Sequence, residues 1–458
     1  MFNTFYFLFL KLSILLTCLL TTCLTYAEIN KVSLIQVTKD VSYLASDELK
    51  GRHNYSPEIH LAADYIADRF KEVGLQPATN LSNDGFLQTF QLTKTTPQNI
   101  NLTINEQNIS HKNIAVASTL LNFSWEMKKS AKESNFTLHD VSKNDDARLI
   151  ISRLNKQGGE HIVLINPAHE TLFKRYQSYL QQGTTKLTQD ASLNQEGGVI
   201  VMVLSPITSD KVNRLKVSSN SIISKSALNN VVAVLPGKTK PDEVVLYSAH
   251  YDHLGIKTGT GDIIFNGADD NASGVTAIIN LAQYYTNQKN NARTLMFVAF
   301  SAEEIGGFGS SYFAKQLDPQ KITAMINIEM VGKSSKFGSG TLWMTGMDRS
   351  NLGNLLNTVL AKSGKKIFKD PYPDQDLFYR SDNATLARLG VAAHSFSSVQ
   401  LDNDQHYHQT SDDVTSLNLN SLHQVIETLA IATQPLVDGS IIPSRIDKSS
   451  LKGKGLIF

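Results

Sequence analysis

From residue 230 onward, apolar runs of strand length alternate with segments of helical periodicity. The runs cover residues 230–235, 243–249, 294–300 and 322–328, and helices are predicted over 273–283 and from about 416 to 432. Strands that are apolar throughout are typical of a parallel sheet covered by helices on both faces. We therefore predict an α/β fold: a three-layer α/β/α sandwich with a largely parallel or mixed central sheet.

Residues of the metal-ligating type follow three of these predicted strands. His250 ends one run, while Glu304 and Glu329 follow two others, and the ligand crevice of an open α/β sheet lies beyond the carboxyl ends of its strands. Two more candidates lie in turn-forming segments, which gives two imidazoles and three carboxylates: His250, Asp269, Glu304, Glu329 and His408. Such a set suits Zn²⁺ or a similar divalent ion, and a bridging carboxylate would let it hold two ions about 3.5–4 Å apart.

Each segment also has an interpretation without metal. His250 alone could be a solvated loop histidine, and the acidic residues 269–270 precede a helix, whose dipole favours negative charge. Glu329 could pair with a Lys or Arg, and the pair Glu303–Glu304 could be a solvated acidic turn. His253 is interpreted as structural, because three ring nitrogens so close in sequence rarely all coordinate.

Three further residues have the chemistry of a hydrolytic site. Asp252 could accept the second N–H of a metal-bound His250 and so fix its tautomer. In the Glu303–Glu304 pair, one carboxylate would bind metal and the other would be a general base. Tyr407 could donate its hydroxyl to a developing oxyanion.

The bulk composition is that of an ordinary globular protein. The chain has 458 residues, 41% of them hydrophobic and 19% charged, and its 43 basic and 42 acidic residues give a net charge of +1. This balance predicts no attraction to nucleic acid or to an anionic membrane.

Residues 1–27 differ from the rest. Two apolar stretches flank Lys11, and the small residues before position 28 are typical of a secretory signal peptide cleaved after Ala27. A retained membrane anchor and lipidation at Cys23 are the alternatives. Both cysteines, Cys18 and Cys23, lie in this segment, so a mature chain would have no disulfide and no thiolate ligand.

The composition and the apolar pattern along the sequence predict that the chain has four parts. After the signal segment, residues 28–95 and 230–440 are assigned to one α/β domain, and 441–458 to a C-terminal tail. Residues 96–229 are rich in Asn, Ser, Lys and Thr, and the apolar runs at 162–165 and 199–204 are predicted to be buried strands of a smaller inserted domain. A set of long surface excursions is the alternative.

The motifs resemble those of the M28 family of co-catalytic zinc peptidases. The similarity covers the segment Leu44–Arg52, skips 96–229, and runs from Asn230 through Ser381-Asp382-Asn383 to Tyr407-His408. It implies that the five candidate ligands hold two Zn²⁺ ions, with Asp269 bridging and a cis Asp269–Asp270 peptide bond. It also implies that Glu303 is the catalytic base and Asp252 the orienting carboxylate. Glu329 where many members have Asp, and Asn383 where His is frequent, are departures, and the insert occupies the place of a protease-associated domain.

The resemblance implies an exported, periplasmic or secreted aminopeptidase that acts on peptides and has no stable membrane insertion after signal removal. A carboxypeptidase or dipeptidase, or a glutaminyl cyclase, would share this fold, and a non-catalytic binding protein is the alternative outside enzymes. Co²⁺ or Mn²⁺ would accept the same ligands.

Overall fold

The computed structural model describes residues 31–129, 134–191 and 197–458. The predicted signal segment, with Cys18 and Cys23, lies outside the described residues.

Strands and helices alternate along most of the described chain. The strands are β1 (Gln76–Pro77), β2 (Leu87–Ile104), β3 (Gln107–Asn108), β4 (Ile114–Ser118), β5 (Asn122–Lys128), β6 (Thr137–Val141), β7 (Gly159–Ile165), β8 (Thr184–Leu187), β9 (Gly198–Leu204), β10 (Arg214–Leu235), β11 (Lys240–His250), β12 (Gly255–Ile256), β13 (Ile264–Phe265), β14 (Arg293–Phe300), β15 (Ile322–Ile328), β16 (Leu342–Met344), β17 (Ile367–Lys369) and β18 (Ala393–Ser397). The α-helices are α1 (Leu34–Leu44), α2 (Glu58–Glu72), α3 (Ala147–Gln157), α4 (Glu170–Gln181), α5 (Thr188–Ala191), α6 (Gly274–Gln288), α7 (Phe308–Lys315), α8 (Leu352–Leu360), α9 (Asn383–Ala387) and α10 (Leu419–Val437).

The described chain divides into two compact units. Residues 31–89 and 229–449 form the first, and residues 90–228 with 450–458 form the second. The last nine residues of the predicted tail thus belong to the second unit, where Asn155 Oδ1 accepts the backbone N–H groups of Ile457 and Phe458, each at 2.9 Å.

The first unit is built on a mixed sheet flanked by helices, and the predicted fold class is confirmed. Its strands follow the order β17-β16-β18-β15-β11-β14-β10, with β1 on β10. The pairs β11–β14, β11–β15 and β15–β18 are parallel, whereas β10–β14 is antiparallel. The helix predicted over 273–283 is α6, which packs against β11 and β14 and buries Val275, Ile278, Ile279 and Ala282.

The central strands are buried because they are apolar throughout. Val245, Leu246 and Ala249 of β11 are fully buried, and Tyr247 of the same strand stacks on Phe297 of β14 at a ring distance of 5.2 Å. These parallel strands end at one edge of the sheet, where His250 lies opposite Phe300 in register.

The second unit has its own sheet, of order β4-β9-β7-β6. The apolar runs predicted at 162–165 and 199–204 lie in β7 and β9, and Ile162, Val163, Val201 and Met202 are buried. The apolar pair at 150–151 belongs to the helix α3.

None of the helices within the described residues combines the length and the apolar character that crossing a membrane requires.

Candidate metal centre and catalytic cavity

The carboxyl ends of β11, β14 and β15 bring polar side chains to one edge of the sheet. His250 is the last residue of β11, and Glu329 directly follows β15. Glu303 and Glu304 lie in the turn after β14. Because the three strands pair in parallel, their carboxyl ends lie at the same edge, and these residues line one crevice there.

A first group of ligand-type atoms surrounds His250. Its Nε2 lies 3.1 Å from Glu329 Oε1 and 3.4 Å from Asp270 Oδ1. The other oxygen of Glu329 accepts a 2.6 Å hydrogen bond from the hydroxyl of Ser381, which fixes the carboxylate. The candidate ligand atoms of His250, Asp270 and Glu329 all lie within 4.8 Å of one another.

A second group lies on the other side of Asp270. His408 Nε2 is 3.2 Å from Asp270 Oδ2 and 3.5 Å from Glu304 Oε2. His253 Nδ1 is 2.8 Å from Glu304 Oε1 and 3.9 Å from Asp270 Oδ2. Asp270 therefore directs one oxygen at each group, which is the arrangement of a bridging carboxylate.

Asp269 does not take this position. Its Oδ1 accepts the backbone N–H of Gly332 at 2.7 Å, and its Oδ2 lies 3.6 Å from Lys333 Nζ, away from the six ligand-type side chains just described. The cis peptide bond joins Asp270 to Asn271, so its prediction at 269–270 was wrong by one residue. The physical reason is that adjacent side chains point in different directions, and the turn after Gly267, whose φ is +58°, decides which aspartate faces the strand ends.

The donor set fits zinc. Each group offers imidazole nitrogen and carboxylate oxygen, the atoms that Zn²⁺ binds in proteins. Four buried or half-buried carboxylates (Asp270, Glu303, Glu304 and Glu329) also face only three imidazoles, His250, His253 and His408. Buried negative charge in excess is costly unless a cation compensates it.

The electrostatics of the histidines and carboxylates agree with this imbalance. Burial disfavours a charged His250, yet the neighbouring Glu329 and Glu303 hold its pKa well above the usual value. Burial likewise opposes the charge on His408, but its bonds with Asp270 and Glu304 raise its pKa to about 10. Burial opposes ionisation of Asp270 as well, and hydrogen bonds from His250 and His408 nevertheless hold its pKa well below the usual value.

His253 is closer to the site than its interpretation as structural suggested. Its side chain is fully buried, and at 2.8 Å its Nδ1 is at hydrogen-bond distance from Glu304 Oε1. Its Nε2 is buried without a hydrogen-bond partner among the described residues, which favours the tautomer with the proton on Nδ1. The sequence signal was its position three residues after His250.

Asp252 positions the turn that bears the glutamates. Its Oδ1 accepts the backbone N–H of Glu303 at 3.1 Å, and its Oδ2 accepts the N–H of Glu304 at 3.2 Å and the side-chain amide of Asn54 at 2.6 Å. The Nδ1 of His250 is nearer to the backbone carbonyl of Asp252, at 3.1 Å, than to its carboxylate, at 3.7 Å. The carboxylate thus orients the glutamate turn more directly than it orients His250.

Three residues beside these groups have left-handed backbone conformations. Ala302, Met330 and His408 have φ angles of 60°, 50° and 56°. Such angles are unfavourable for residues with a side chain and persist only where the surroundings enforce them. Each of the three is a ligand-type residue or lies within two residues of one.

A cavity opens over the two groups. Glu303 lines it beside His250 and Glu329, and burial raises the pKa of Glu303 well above its usual value although His250 opposes the shift. Tyr407 forms part of the wall and stacks on His408 at a ring distance of 4.0 Å; burial raises its pKa. Asn383, one of the two departures from the family pattern, does not line this cavity. Its buried side chain donates to the carbonyl of Phe378 and accepts from the hydroxyl of Ser395.

An ion-pair cluster that sequence analysis did not detect contacts the loop that carries Asp269 and Asp270. Lys333 Nζ lies 3.0 Å from Asp404, 3.5 Å from Asp412 and 3.6 Å from Asp269. Asp412 also accepts the backbone N–H of Asp270 at 3.0 Å. Since 404 and 412 flank the segment with Tyr407 and His408, this lysine joins that segment to the loop of Asp270.

Arg52, from the segment Leu44–Arg52, supports the same loop. Its guanidinium is fully buried and donates to the carbonyls of Asn266 at 2.6 Å, Gly267 at 2.9 Å and Tyr251 at 2.7 Å. It thereby joins the chain after β11 to the chain before Asp270.

Known proteins share parts of this chain. A 36% identity over 122 residues links it to a probable zinc metalloprotease of Pyrenophora teres f. teres, covering 26% of this chain and 26% of that protein. The aminopeptidase YwaD of Bacillus subtilis is 22% identical over 287 residues, which are 60% of this chain and 59% of that protein. The matched region is thus less than two thirds of the length of either curated relative.

Solved structures share the fold. An aminopeptidase from Aneurinibacillus sp. superposes with a TM-score of 0.54 at 16% identity, covering 93% of this chain and 97% of that one. A zinc aminopeptidase from Bacillus subtilis superposes with a TM-score of 0.53 at 15% identity, covering 92% and 97%.

The sequence model described as peptidase family M28 matches residues 230–433, the segment that contributes every member of the two ligand groups. Zinc is accordingly the metal of this family and of the donor set described above. The matched segment, a little under half of the chain, is similar to peptidase family M28.

Proposed function

We propose that the chain is an aminopeptidase with two zinc ions, which removes residues from the N-terminus of peptides. Asp270 would offer one oxygen to each ion. His250 and Glu329 would hold one ion, and Glu304 and His408 would hold the other.

The observation that carries this proposal is the orientation of one carboxylate. Asp270 Oδ1 faces His250 and Asp270 Oδ2 faces His408, at 3.4 Å and 3.2 Å. A single metal would leave one of these oxygens and its imidazole without a cation. Two metals use both groups, and they also explain why Glu304 and Glu329 lie on opposite sides of Asp270.

Bound zinc supplies Lewis acidity, which polarises a substrate carbonyl and makes a water molecule more acidic. Glu303 lines the cavity and belongs to neither ligand group, so its carboxylate is available to accept the proton of that water and to deliver it to the leaving amine. Tyr407, on the cavity wall, donates its hydroxyl to the negative charge that develops on the carbonyl oxygen. Asp252 keeps Glu303 in place through the bond to its backbone N–H.

The choice of the N-terminus over the C-terminus rests on the named relatives, which include aminopeptidases. A panel of short peptides with one end blocked separates the possibilities. Acetylation of the N-terminus should abolish cleavage, whereas amidation of the C-terminus should not. The reverse pattern would make the chain a carboxypeptidase, and cyclisation of N-terminal glutamine would make it a glutaminyl cyclase.

The proposal includes export. The apolar stretches around Lys11 and the residues before position 28 support cleavage of a leader after Ala27. Sequencing the N-terminus of the protein recovered outside the cytoplasm should find Glu28 first. A protein that retains residues 1–27 would show that this part of the proposal is wrong.

Replacing each of the two adjacent glutamates separates metal binding from proton transfer. Glu303→Gln should keep about two zinc ions per chain and lower kcat by roughly 10²–10⁴. Glu304→Gln should lose zinc from the second group, because the amide is a weaker ligand. Zinc is measured by atomic emission and turnover with leucine anilide. Near-normal turnover of Glu303→Gln, or its loss of zinc, would contradict the assigned roles.

A further inference from the structure

We infer that Arg380 binds a carboxylate of the substrate, so that peptides with a carboxylate near the scissile bond are the preferred substrate class. This inference rests on the proposed peptidase function. It concerns the part of the cavity that is not occupied by the metal ligands.

The position of Arg380 is fixed by its neighbour. Ser381 donates a 2.6 Å hydrogen bond to Glu329, one of the proposed zinc ligands. Consecutive Cα atoms are about 3.8 Å apart. The Cα of Arg380 therefore lies about 3.8 Å from that of Ser381, whose side chain contacts the candidate metal centre. Arg380 itself lines the same cavity as Glu303 and His408.

The guanidinium of Arg380 has no ion-pair or hydrogen-bond partner of its own among the described residues. Within the described ranges no carboxylate pairs with it and its side chain is exposed. The two arginines nearby are used in packing: Arg349 lies 4.7 Å from the ring of Phe378, and Arg388 lies 5.7 Å from the ring of Tyr379. The charge of Arg380 also acts on Tyr407, whose pKa it lowers against the larger effect of burial.

The rest of the cavity wall is mostly apolar. Among the described residues that line it, Arg380 is the only arginine or lysine. The apolar lining residues away from the metal ligands are Met330, Trp343, Leu377, Val399 and Leu401. A peptide residue with an apolar side chain can pack against these groups, and Arg380 is the one cationic side chain among the described lining residues apart from the histidines assigned to metal.

Arginine is suited to this role because it stays charged and binds a carboxylate with two parallel N–H donors. The carboxylate has two sources with the same chemistry. It is either the C-terminus of a very short peptide or the side chain of an acidic residue next to the scissile bond. Hydrogen bonds to charged groups are worth about 1.5–3 kcal/mol, or a factor of roughly 10–100 in affinity.

The test measures binding in the zinc-loaded Glu303→Gln variant, where slow turnover leaves the ligand intact. Calorimetry compares three probes: leucyl-alanine, leucyl-alanine amide and leucyl-glutamic acid α-amide, in which only the side-chain carboxylate is free. We expect the Kd of at least one carboxylate probe to be about 10-fold or more below that of leucyl-alanine amide. Which probe it is identifies the source of the carboxylate.

Adding Arg380→Gln should reduce this ratio of Kd values to about one, and Arg380→Lys should restore part of it. The matched control is Arg175→Gln, since Arg175 is exposed on α4 of the second unit; it should leave the ratio unchanged. Equal Kd values for all three probes, or a preference that survives Arg380→Gln, would overturn the inference. Failure of the wild-type chain to cleave any peptide would instead contradict the proposed function.

Discussion

Lys333 should contribute far more to stability than its neighbour Lys336, although both pair with an aspartate of the same segment. Lys333 has a side chain that is 16% exposed and lies 3.0 Å from Asp404, which is 2% exposed. Lys336 is 36% exposed and lies 3.4 Å from Asp402, which is 51% exposed. The two lysines therefore form a matched pair that differs in burial.

The magnitude follows from what remains after the lysine is removed. Lys333→Met leaves the carboxylates of Asp269, Asp404 and Asp412 buried together without their cation. Breaking a buried pair by removing one partner costs about 3–5 kcal/mol, and residual exposure of the lysine favours the lower value of about 3. Lys336→Met should cost no more than about 1 kcal/mol, as is typical of exposed ion pairs.

The two tryptophans allow the first unit to be followed alone. The chain has two, and Trp343 lies in the first unit while Trp125 lies in the second. In a Trp125→Phe background, urea unfolding of the zinc-free protein is followed by the fluorescence of Trp343, which is 2% exposed. With a denaturant slope of about 2–3 kcal/mol/M, Lys333→Met should lower the midpoint by roughly 1 M, and Lys336→Met by about a third of that or less.

The double replacement Lys333→Met with Asp404→Asn should recover part of the loss, because it removes one of the unpaired charges. Equal midpoints for the Lys333→Met and Lys336→Met variants would refute the argument from burial. A double variant no more stable than Lys333→Met would show that Asp404 is not the partner that matters.

Three further predictions concern the candidate metal ligands and the segments packed around them. Asp270→Asn should lower zinc content from about two ions per chain to one or none, measured by atomic emission, whereas Asp269→Asn should retain most of it; the opposite ranking would restore Asp269 as the bridge. His253→Gln should weaken zinc affinity about 10–100-fold in a chelator competition, as loss of a ligand-orienting partner does, and an unchanged affinity would mean that His253 is only structural. Gly51→Ala should destabilise the first unit by more than about 1 kcal/mol in the same urea assay. The φ of Gly51 is +69°, and a Cβ there would lie 2.4 Å from a backbone oxygen. Gly261→Ala is the control and should cost less, because Gly261 has a φ of +81° but open space around it.

The fold of the first unit could be predicted because its strands are apolar throughout. The run predicted at 322–328 is β15 itself, and those at 243–249 and 294–300 lie within β11 and β14. The boundaries moved where polar residues extend an element: β11 begins at Lys240, and the last helix, α10, runs from Leu419 to Val437. Lys240 of β11 pairs with Arg293 of the neighbouring strand, and the side chain of Asn418 caps the start of α10 by accepting the N–H of Ser421. The apolar pattern of the sequence shows neither contact.

The grouping of side chains was predictable where a residue ends or directly follows a strand, as for His250 and Glu329. It was not predictable where a turn decides the direction of a side chain. Asp269 and Asp270 are chemically identical neighbours, and only the conformation of the loop after Gly267 directs the second toward the histidines. Lys333 could not be found either, since its partners Asp404 and Asp412 are more than seventy residues away in sequence.

The central claim is that Asp270 bridges two zinc ions. Anomalous diffraction at the zinc edge, from crystals of the zinc-loaded protein, tests it directly. Two peaks about 3.5–4 Å apart are expected, one beside His250 and Glu329 and the other beside Glu304 and His408, with Asp270 between them. A single peak, or a bridging Asp269, would contradict it.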